Sequence, residues 1–164
     1  MSKKNGYGPE QVFSPLVLRT RPEHDELKEI ARGCFTRYHC YHYLGFAETH
    51  WKLIQKDSPP RVKPLLYLLR VLQTGVHLMR TGEIEANLVT LNEMWRLSYL
   101  DDLIARKRRG AERGALEDAD IDFFSAEYAR LRQELADAAE ASALPETTNC
   151  KPALDALLLR MRGM

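Results

Sequence analysis

The amino-acid sequence predicts a mainly α-helical fold, a bundle-like domain of about six helices with a short irregular or strand-like N-terminal segment. First, apolar residues recur every three to four positions along most of the 164 residues, which is typical of helices with one buried face. Second, capping residues and Pro or Gly breakers divide the chain into segments of helical length. Third, the apolar, partly β-branched character of a strand occurs in one short run near the N-terminus.

The N-terminal third contains the least regular part of the sequence, followed by two helices. Turn residues over positions 5–9 indicate a short helical or irregular piece, and we expect a short strand from Leu16 to Arg19. A capping threonine and a stop glycine predict a helix between Thr20 and Gly33. A second capping threonine begins a long helix from Thr36 to about Lys56.

The clearest helix of the sequence runs from about Arg61 to Arg80 and ends at Thr81-Gly82. Its apolar face follows the helical period closely: Leu65, Leu68, Leu69, Leu72, Val76 and Met79. Four later helices are predicted from Asn87 through Glu93, from Ser98 to near Gly110, from Asp118 or Asp120 to about Ala141, and from Pro152 to Arg162.

Charge is unevenly distributed, although the formal net charge is only +1. Six basic residues lie between His50 and Arg80 against a single acid, and five more lie between Arg106 and Arg113. From Leu116 to Glu146 the sign inverts, with nine acids against two arginines. The basic middle is compatible with a surface that faces a polyanion, and the solvated face of an ordinary helix is the alternative.

Composition excludes several classes of protein. No apolar run approaches the roughly 18 residues needed to span a bilayer, and the first residues lack the apolar core of a secretory signal. The three cysteines, Cys34, Cys40 and Cys150, form an odd set without metal-ligand spacing. We therefore expect a reduced, cytoplasmic protein without a disulfide framework and without a membrane partner.

A polar stripe runs along the clearest helix, opposite its leucine face. Lys63, Tyr67, Arg70, Thr74 and His77 recur at spacings of four and three, which places them on one side of a rigid element. Fixed cations with additional hydrogen-bond donors are what phosphate recognition needs, so these five residues are the predicted substrate- or phosphate-binding set.

Other polar clusters are weaker candidates. His39, His42 and His50 lack a carboxylate at helical spacing, so packed or surface histidines are the favoured interpretation and no metal site is predicted. The acids over 118–122 lack the glycine of a calcium loop and fit a helix start. The run Arg106–Arg109 fits a helix C-terminus, or alternatively contacts a nucleic-acid backbone.

Several longer runs carry a resemblance to known proteins: residues 5–17, 61–67, 74–83, 85–88, 91–93 and 100–107. These runs resemble the bacterial predicted nucleotidyltransferases of the DNA polymerase β superfamily. They correspond to the second half of the family's proteins, in and after the end of the catalytic domain. The resemblance implies that residues 1–20 are a remnant of the catalytic-domain edge and that residues 21–164 form a helical domain.

The family's catalytic signature, a Gly-Ser turn followed by an Asp-x-Asp strand, is absent from this sequence. The resemblance implies that Mg²⁺ and a nucleoside triphosphate would act only if a catalytic half were supplied, since these carboxylates hold the metal ions. No catalytic residue is therefore assigned. Glu10 falls where the family has an acid and is a candidate for the edge of the active site.

Two functions follow as expectations. The first is a truncated, helical substrate-side portion of a nucleotidyltransferase, without transfer activity on its own, which works with a catalytic partner chain or by self-association. The second is a stand-alone helical module that binds nucleotides or RNA through its basic face.

Overall fold

The computed structural model describes residues 6–58, 60–108, 116 and 118–163 and is mainly helical in these ranges, with no strand. The helices are α1 Tyr7–Val12, α2 Pro22–Arg32, α3 Cys40–Lys56, α4 Val62–Thr81, α5 Leu88–Trp95, α6 Ser98–Arg108, α7 Asp118–Glu140 and α8 Lys151–Met161. The predicted helical class is confirmed, and the described part of the chain holds eight helices rather than about six. The predicted helix end near Gly110 lies outside the described residues.

Helix α4 is the centre of the fold, and α3 and α7 pack against it. The leucine face predicted from the sequence is buried, with Leu65, Leu68, Leu69 and Leu72 fully inaccessible to solvent. The helix ends as expected at Gly82, whose φ of 75° lies in the left-handed region that glycine adopts without strain.

Gly75 allows the close crossing of α3, α4 and α7. A β-carbon at this position would lie 3.0 Å from side-chain atoms of both Tyr43 and Leu135. Beside this crossing, Trp51 of α3 stacks on Tyr128 of α7 with ring centroids 5.0 Å apart. The bundle core is therefore packed tightly around the middle of α4.

The strand predicted from Leu16 to Arg19 is wrong. The segment is irregular: Leu16 donates its backbone N–H to the Ser14 hydroxyl at 3.2 Å, and no neighbouring strand exists in the described ranges. Leu16 and Leu18 are 88% and 105% exposed. Apolar composition alone does not make a strand when the chain offers nothing to pair with.

The long helix predicted from Thr36 begins with a short 3-10 turn, Arg37–His39, which continues into α3. Buried His39 accepts the Thr36 backbone N–H on its Nδ1 atom at 3.1 Å. This closes a capping box, so His39 serves the helix start.

The expectation of reduced cysteines is wrong for one pair. Cys34 and Cys150 form a disulfide, with Cα atoms 5.5 Å apart, whereas Cys40 is a buried free thiol. The disulfide joins the end of α2 to the start of α8, and these two helices also pack against each other. Spacing along the sequence does not reveal the pairing, because 116 residues separate the two cysteines.

None of the described helices is both long and apolar enough to cross a membrane. The division of the chain at residue 20 stays a prediction.

Candidate functional site

A pocket of about 340 Å³ lies where the N-terminal half of α4 faces the first turn of α5 and the last turn of α6. We call it the basic pocket. Its lining residues are Lys63, Leu66, Tyr67, Arg70, Leu88, Val89, Ile104, Lys107 and Arg108. Four of the nine are cations and none is an acid, so the pocket joins the α4 stripe to the basic run of α6.

Three of the four cations are available to a ligand. Lys63, Lys107 and Arg108 are exposed, and within the described ranges no carboxylate forms an ion pair with them. Arg106, which precedes Lys107 in α6 and does not line the pocket, pairs with Asp120 of α7 at 3.3 Å. Concentrated charge without internal compensation attracts an anion.

The fourth cation, Arg70, is held in place by a buried ion pair. Its Nη1 atom donates to Oε2 of Glu10 at 2.8 Å, with the two side chains only 17% and 13% exposed. The guanidinium carbon also lies 5.1 Å from the ring centroid of Tyr67. Glu10 thus links α1 to the wall of the basic pocket.

Aromatic rings support the pocket from the α3 side. Tyr67 stacks on His50 with centroids 5.7 Å apart, and His50 packs in turn on Phe46 at 4.4 Å. Burial, and then the nearby charge of Arg70, lower the pKa of His50 below its usual value. The neutral imidazole is therefore favoured at this position.

The first turn of α5 contributes partial positive charge to the same pocket. Asn87 caps the helix by accepting the Val89 backbone N–H at 3.0 Å. Leu88 and Val89, the first two helical residues, line the basic pocket. The N-terminal end of a helix attracts negative charge, as the four cations of the basic pocket do. The first turn of α5 and the cations therefore favour the same kind of ligand, an anion.

The five residues of the predicted stripe are not all together. Lys63, Tyr67 and Arg70 line the basic pocket. Thr74 is completely buried, and its hydroxyl has no hydrogen-bond partner among the described residues. His77 lines a different pocket, beside Trp95.

Burial lowers the pKa of His77, although Glu85 and Glu83 act in the opposite direction. His77 does not line the basic pocket, so it is a candidate for a separate binding site. Binding roles for all five residues of the stripe stay predictions.

In the sequence, Lys107 and Arg108 belong to a basic run that is a weak signal of binding. The signal that would have singled them out is the packing of α6 on α4, which the sequence does not display. Arg109, the last residue of that run, lies outside the described residues.

The histidines do not form a metal site. His42 and His50 pack against aromatic rings, and His39 caps the turn before α3. In residues 6–58, 60–108 and 118–163, no group of three or more His, Cys, Asp or Glu side chains could hold a metal ion.

The family model described as RlaP, RNA repair pathway DNA polymerase beta family, matches residues 1–160. The chain belongs to this family. The resemblance to polymerase β-like nucleotidyltransferases predicted from the sequence is thereby confirmed at the level of the family.

This RlaP-family chain is similar to the uncharacterized protein MJ0002 of Methanocaldococcus jannaschii. The two are 33% identical over 85 residues, which is 52% of this chain and 35% of that protein. The matched part therefore spans about a third of the relative's length. No solved structure matches the chain.

Polymerase β-like transfer uses Mg²⁺ held by carboxylates, which this RlaP-family chain would have to offer as ligands. Glu10 is bound to Arg70, which lines the basic pocket. Glu10 shares the lining of another pocket with Glu85, but no group of three or more His, Cys, Asp or Glu side chains among the described residues could hold a metal ion. The described residues do not fit the metal, and we derive no step through it.

Proposed function

We propose that this chain is the substrate-side helical part of a polymerase β-like nucleotidyltransferase and that its basic pocket binds the phosphates of the substrate. One observation carries the proposal: Lys63, Lys107 and Arg108 converge on one pocket without a compensating acid in its lining. Guanidinium and ammonium groups at such a site form charge-assisted hydrogen bonds to phosphate oxygens.

RNA is the substrate that we favour. The family's description refers to RNA repair, and a polyanion draws affinity from each cation that it meets. Beside the cations, Leu66, Ile104 and the exposed ring of Tyr67 give the pocket an apolar wall that a nucleoside can cover. A free nucleoside triphosphate satisfies the same cations and is the competing ligand.

We further propose that the chain does not transfer nucleotides by itself. Transfer needs paired carboxylates that hold metal ions, and Glu10 is engaged by Arg70. A catalytic partner chain would then supply these carboxylates, whereas self-association alone would not, because a second copy lacks the same paired acids. The alternative function, a stand-alone RNA- or nucleotide-binding module, uses the same pocket but requires no such partner.

The test is competition binding with the purified chain. A labelled single-stranded oligouridylate is titrated at low salt, and ATP, tripolyphosphate and unlabelled RNA are added as competitors. We expect RNA to compete best, because it reaches more of the cations than a free triphosphate does. Absence of RNA binding at low salt refutes the proposed function, and more effective competition by ATP assigns the pocket to the nucleotide.

A second assay addresses transfer. The chain is incubated with RNA, Mg²⁺ and each labelled nucleoside triphosphate, and the RNA is separated by gel. We expect unlabelled RNA, whereas nucleotide incorporation by the purified chain contradicts the proposed division of labour.

A further inference from the structure

We propose that Glu10 is a positioning residue of the basic pocket: it fixes the guanidinium of Arg70 in the orientation that receives a substrate phosphate. The inference rests on the proposed function and assigns a role to an acid that the family resemblance had placed only at the edge of an active site. It predicts that removing a negative charge beside an anion site weakens anion binding, which is the reverse of the simple Coulomb expectation.

The geometry of the ion pair favours this role. A guanidinium has five N–H donors, and Glu10 engages Arg70 through Nη1. The remaining donors are left for other partners, and Arg70 lines the basic pocket. Because the pair is mostly buried, breaking it is costly, so Arg70 does not exchange freely between Glu10 and solvent.

Glu10 is itself held by the packing of α1 on α3. The ring of Tyr7 makes edge-on contacts with His42 and Phe46, at centroid distances of 5.6 and 5.5 Å. At the start of α1, a β-carbon on Gly6 would lie 2.7 Å from the hydroxyl of Tyr43, so the backbone here approaches the buried ring closely. Burial and the neighbouring Glu10 carboxylate both raise the pKa of Tyr43, which keeps the phenol neutral.

These contacts connect α3 to the basic pocket in sequence. The lack of a side chain at Gly6 lets α1 pack closely on α3, Glu10 extends from α1, and its carboxylate binds Arg70 at the wall of the basic pocket. Arg70 also lies over the ring of Tyr67, which stacks on His50. Two sides of the guanidinium are thus constrained. Because the Arg70 side chain is already ordered in the free protein, binding a ligand costs less conformational entropy.

The experiment compares Glu10→Ala with Glu10→Gln in oligouridylate binding. We expect Glu10→Ala to weaken binding by about tenfold, as loss of one well-oriented charged hydrogen bond does. Gln offers an amide oxygen to Nη1, so Glu10→Gln is expected to bind at least as tightly as the wild type. If both variants bind more tightly, Glu10 is an inhibitory competitor of the phosphate and the proposal is overturned.

A double-mutant cycle with Arg70→Ala separates positioning from general destabilisation. If Glu10 acts through Arg70, Glu10→Ala causes no further loss of affinity in the Arg70→Ala background. An additional tenfold loss in that background means that Glu10 acts elsewhere and contradicts the inference.

A pair of glycine variants tests the same connection without altering charge. Gly6→Ala forces α1 away from Tyr43 and is expected to reproduce part of the Glu10→Ala loss. Gly8→Ala in the same helix meets no atom within 4 Å and is the matched control, expected to bind like the wild type. Equal RNA affinities of the two variants would show that the close packing of α1 on α3 does not affect binding in the basic pocket.

One readout needs no RNA, so failure of this inference is distinguishable from failure of the proposed function. The Nε–H resonance of Arg70, assigned by its absence in Arg70→Lys, reports the order of the guanidinium. We expect a sharp resonance in the wild type and in Glu10→Gln, and a signal lost to exchange in Glu10→Ala. An unchanged resonance in Glu10→Ala refutes positioning even if RNA binds.

Discussion

Three cations of the basic pocket, which form no ion pair within the part of the chain that the structure describes, set the salt dependence that RNA binding should have. Each phosphate of a single strand that a cation neutralises without an acid beside it contributes about −0.7 to the slope of log affinity against log salt concentration. Lys63, Lys107 and Arg108 therefore give a slope of about −2.1, and Arg70 adds little net charge because it is paired with Glu10. A rise from about 50 to about 200 mM salt should then weaken binding by about 18-fold.

The perturbation is the double substitution Lys107→Ala with Arg108→Ala, which leaves one unpaired cation in the pocket. The slope should fall to about −0.7, so that the same rise in salt weakens binding only about 2.6-fold. Fluorescence anisotropy of a labelled oligouridylate across a salt series measures both slopes. The α6 cations are exposed at the helix end, so we expect little change in folding stability.

The control carries the same loss of charge elsewhere. Arg132 of α7 and Arg162 after α8 are exposed and do not line the basic pocket. Substitution of both by Ala should leave the slope near −2.1. If this control reduces the slope as much as the α6 variant does, binding is spread over the surface and the reasoning is refuted.

Three further predictions concern stability. Gly75→Ala should lower the free energy of unfolding by about 1–2 kcal/mol in urea melts, because overpacking against α3 and α7 exceeds the gain in helix propensity; a stabilised variant would contradict the tight crossing. Replacing Cys34 by Ser should cost about 2–5 kcal/mol through loss of the disulfide, and a reductant should destabilise the wild type to the same level; a melt insensitive to reductant would contradict the bond. Burial lowers the pKa of His42, His50 and His77, so the unfolded chain takes up protons first as pH falls. The melting temperature should therefore decrease as pH falls below about 6.5, and a rise over that range would contradict the burial of these rings.

The sequence predicted those features that depend on local periodicity. The leucine face of α4 is buried as the 3.6-residue period requires, and Gly82 ends the helix in the left-handed conformation. Asn87 and Ser98 mark the starts of α5 and α6 as expected. Local signals are sufficient here because caps and apolar stripes act within a few residues.

Features that depend on packing between distant segments were not predicted. The spacing of the polar stripe predicted which face of α4 holds Thr74. It did not predict that neighbouring elements bury this residue completely. Lys107 and Arg108 reach the pocket through the angle at which α6 meets α4, which no motif encodes. The disulfide of Cys34 was missed for the same reason, since its partner is 116 residues away.

Glu10 shows how the structure changes the interpretation of a single residue. The resemblance to nucleotidyltransferases suggested the remnant of an active-site edge, and an acid in that setting is most easily imagined beside a metal. In the fold its carboxylate binds Arg70 inside the wall of a basic pocket. The useful question about Glu10 is therefore how it affects the binding of anions.

A map of RNA-induced chemical-shift changes on the ¹⁵N-labelled chain shows whether RNA binds in the basic pocket. We expect the shifts to concentrate on the N-terminal half of α4, the first turn of α5 and the last turn of α6, and to saturate with the affinity measured by anisotropy. Shifts concentrated on α7 or α8, or no shifts at low salt where the electrostatic attraction is strongest, would contradict this expectation.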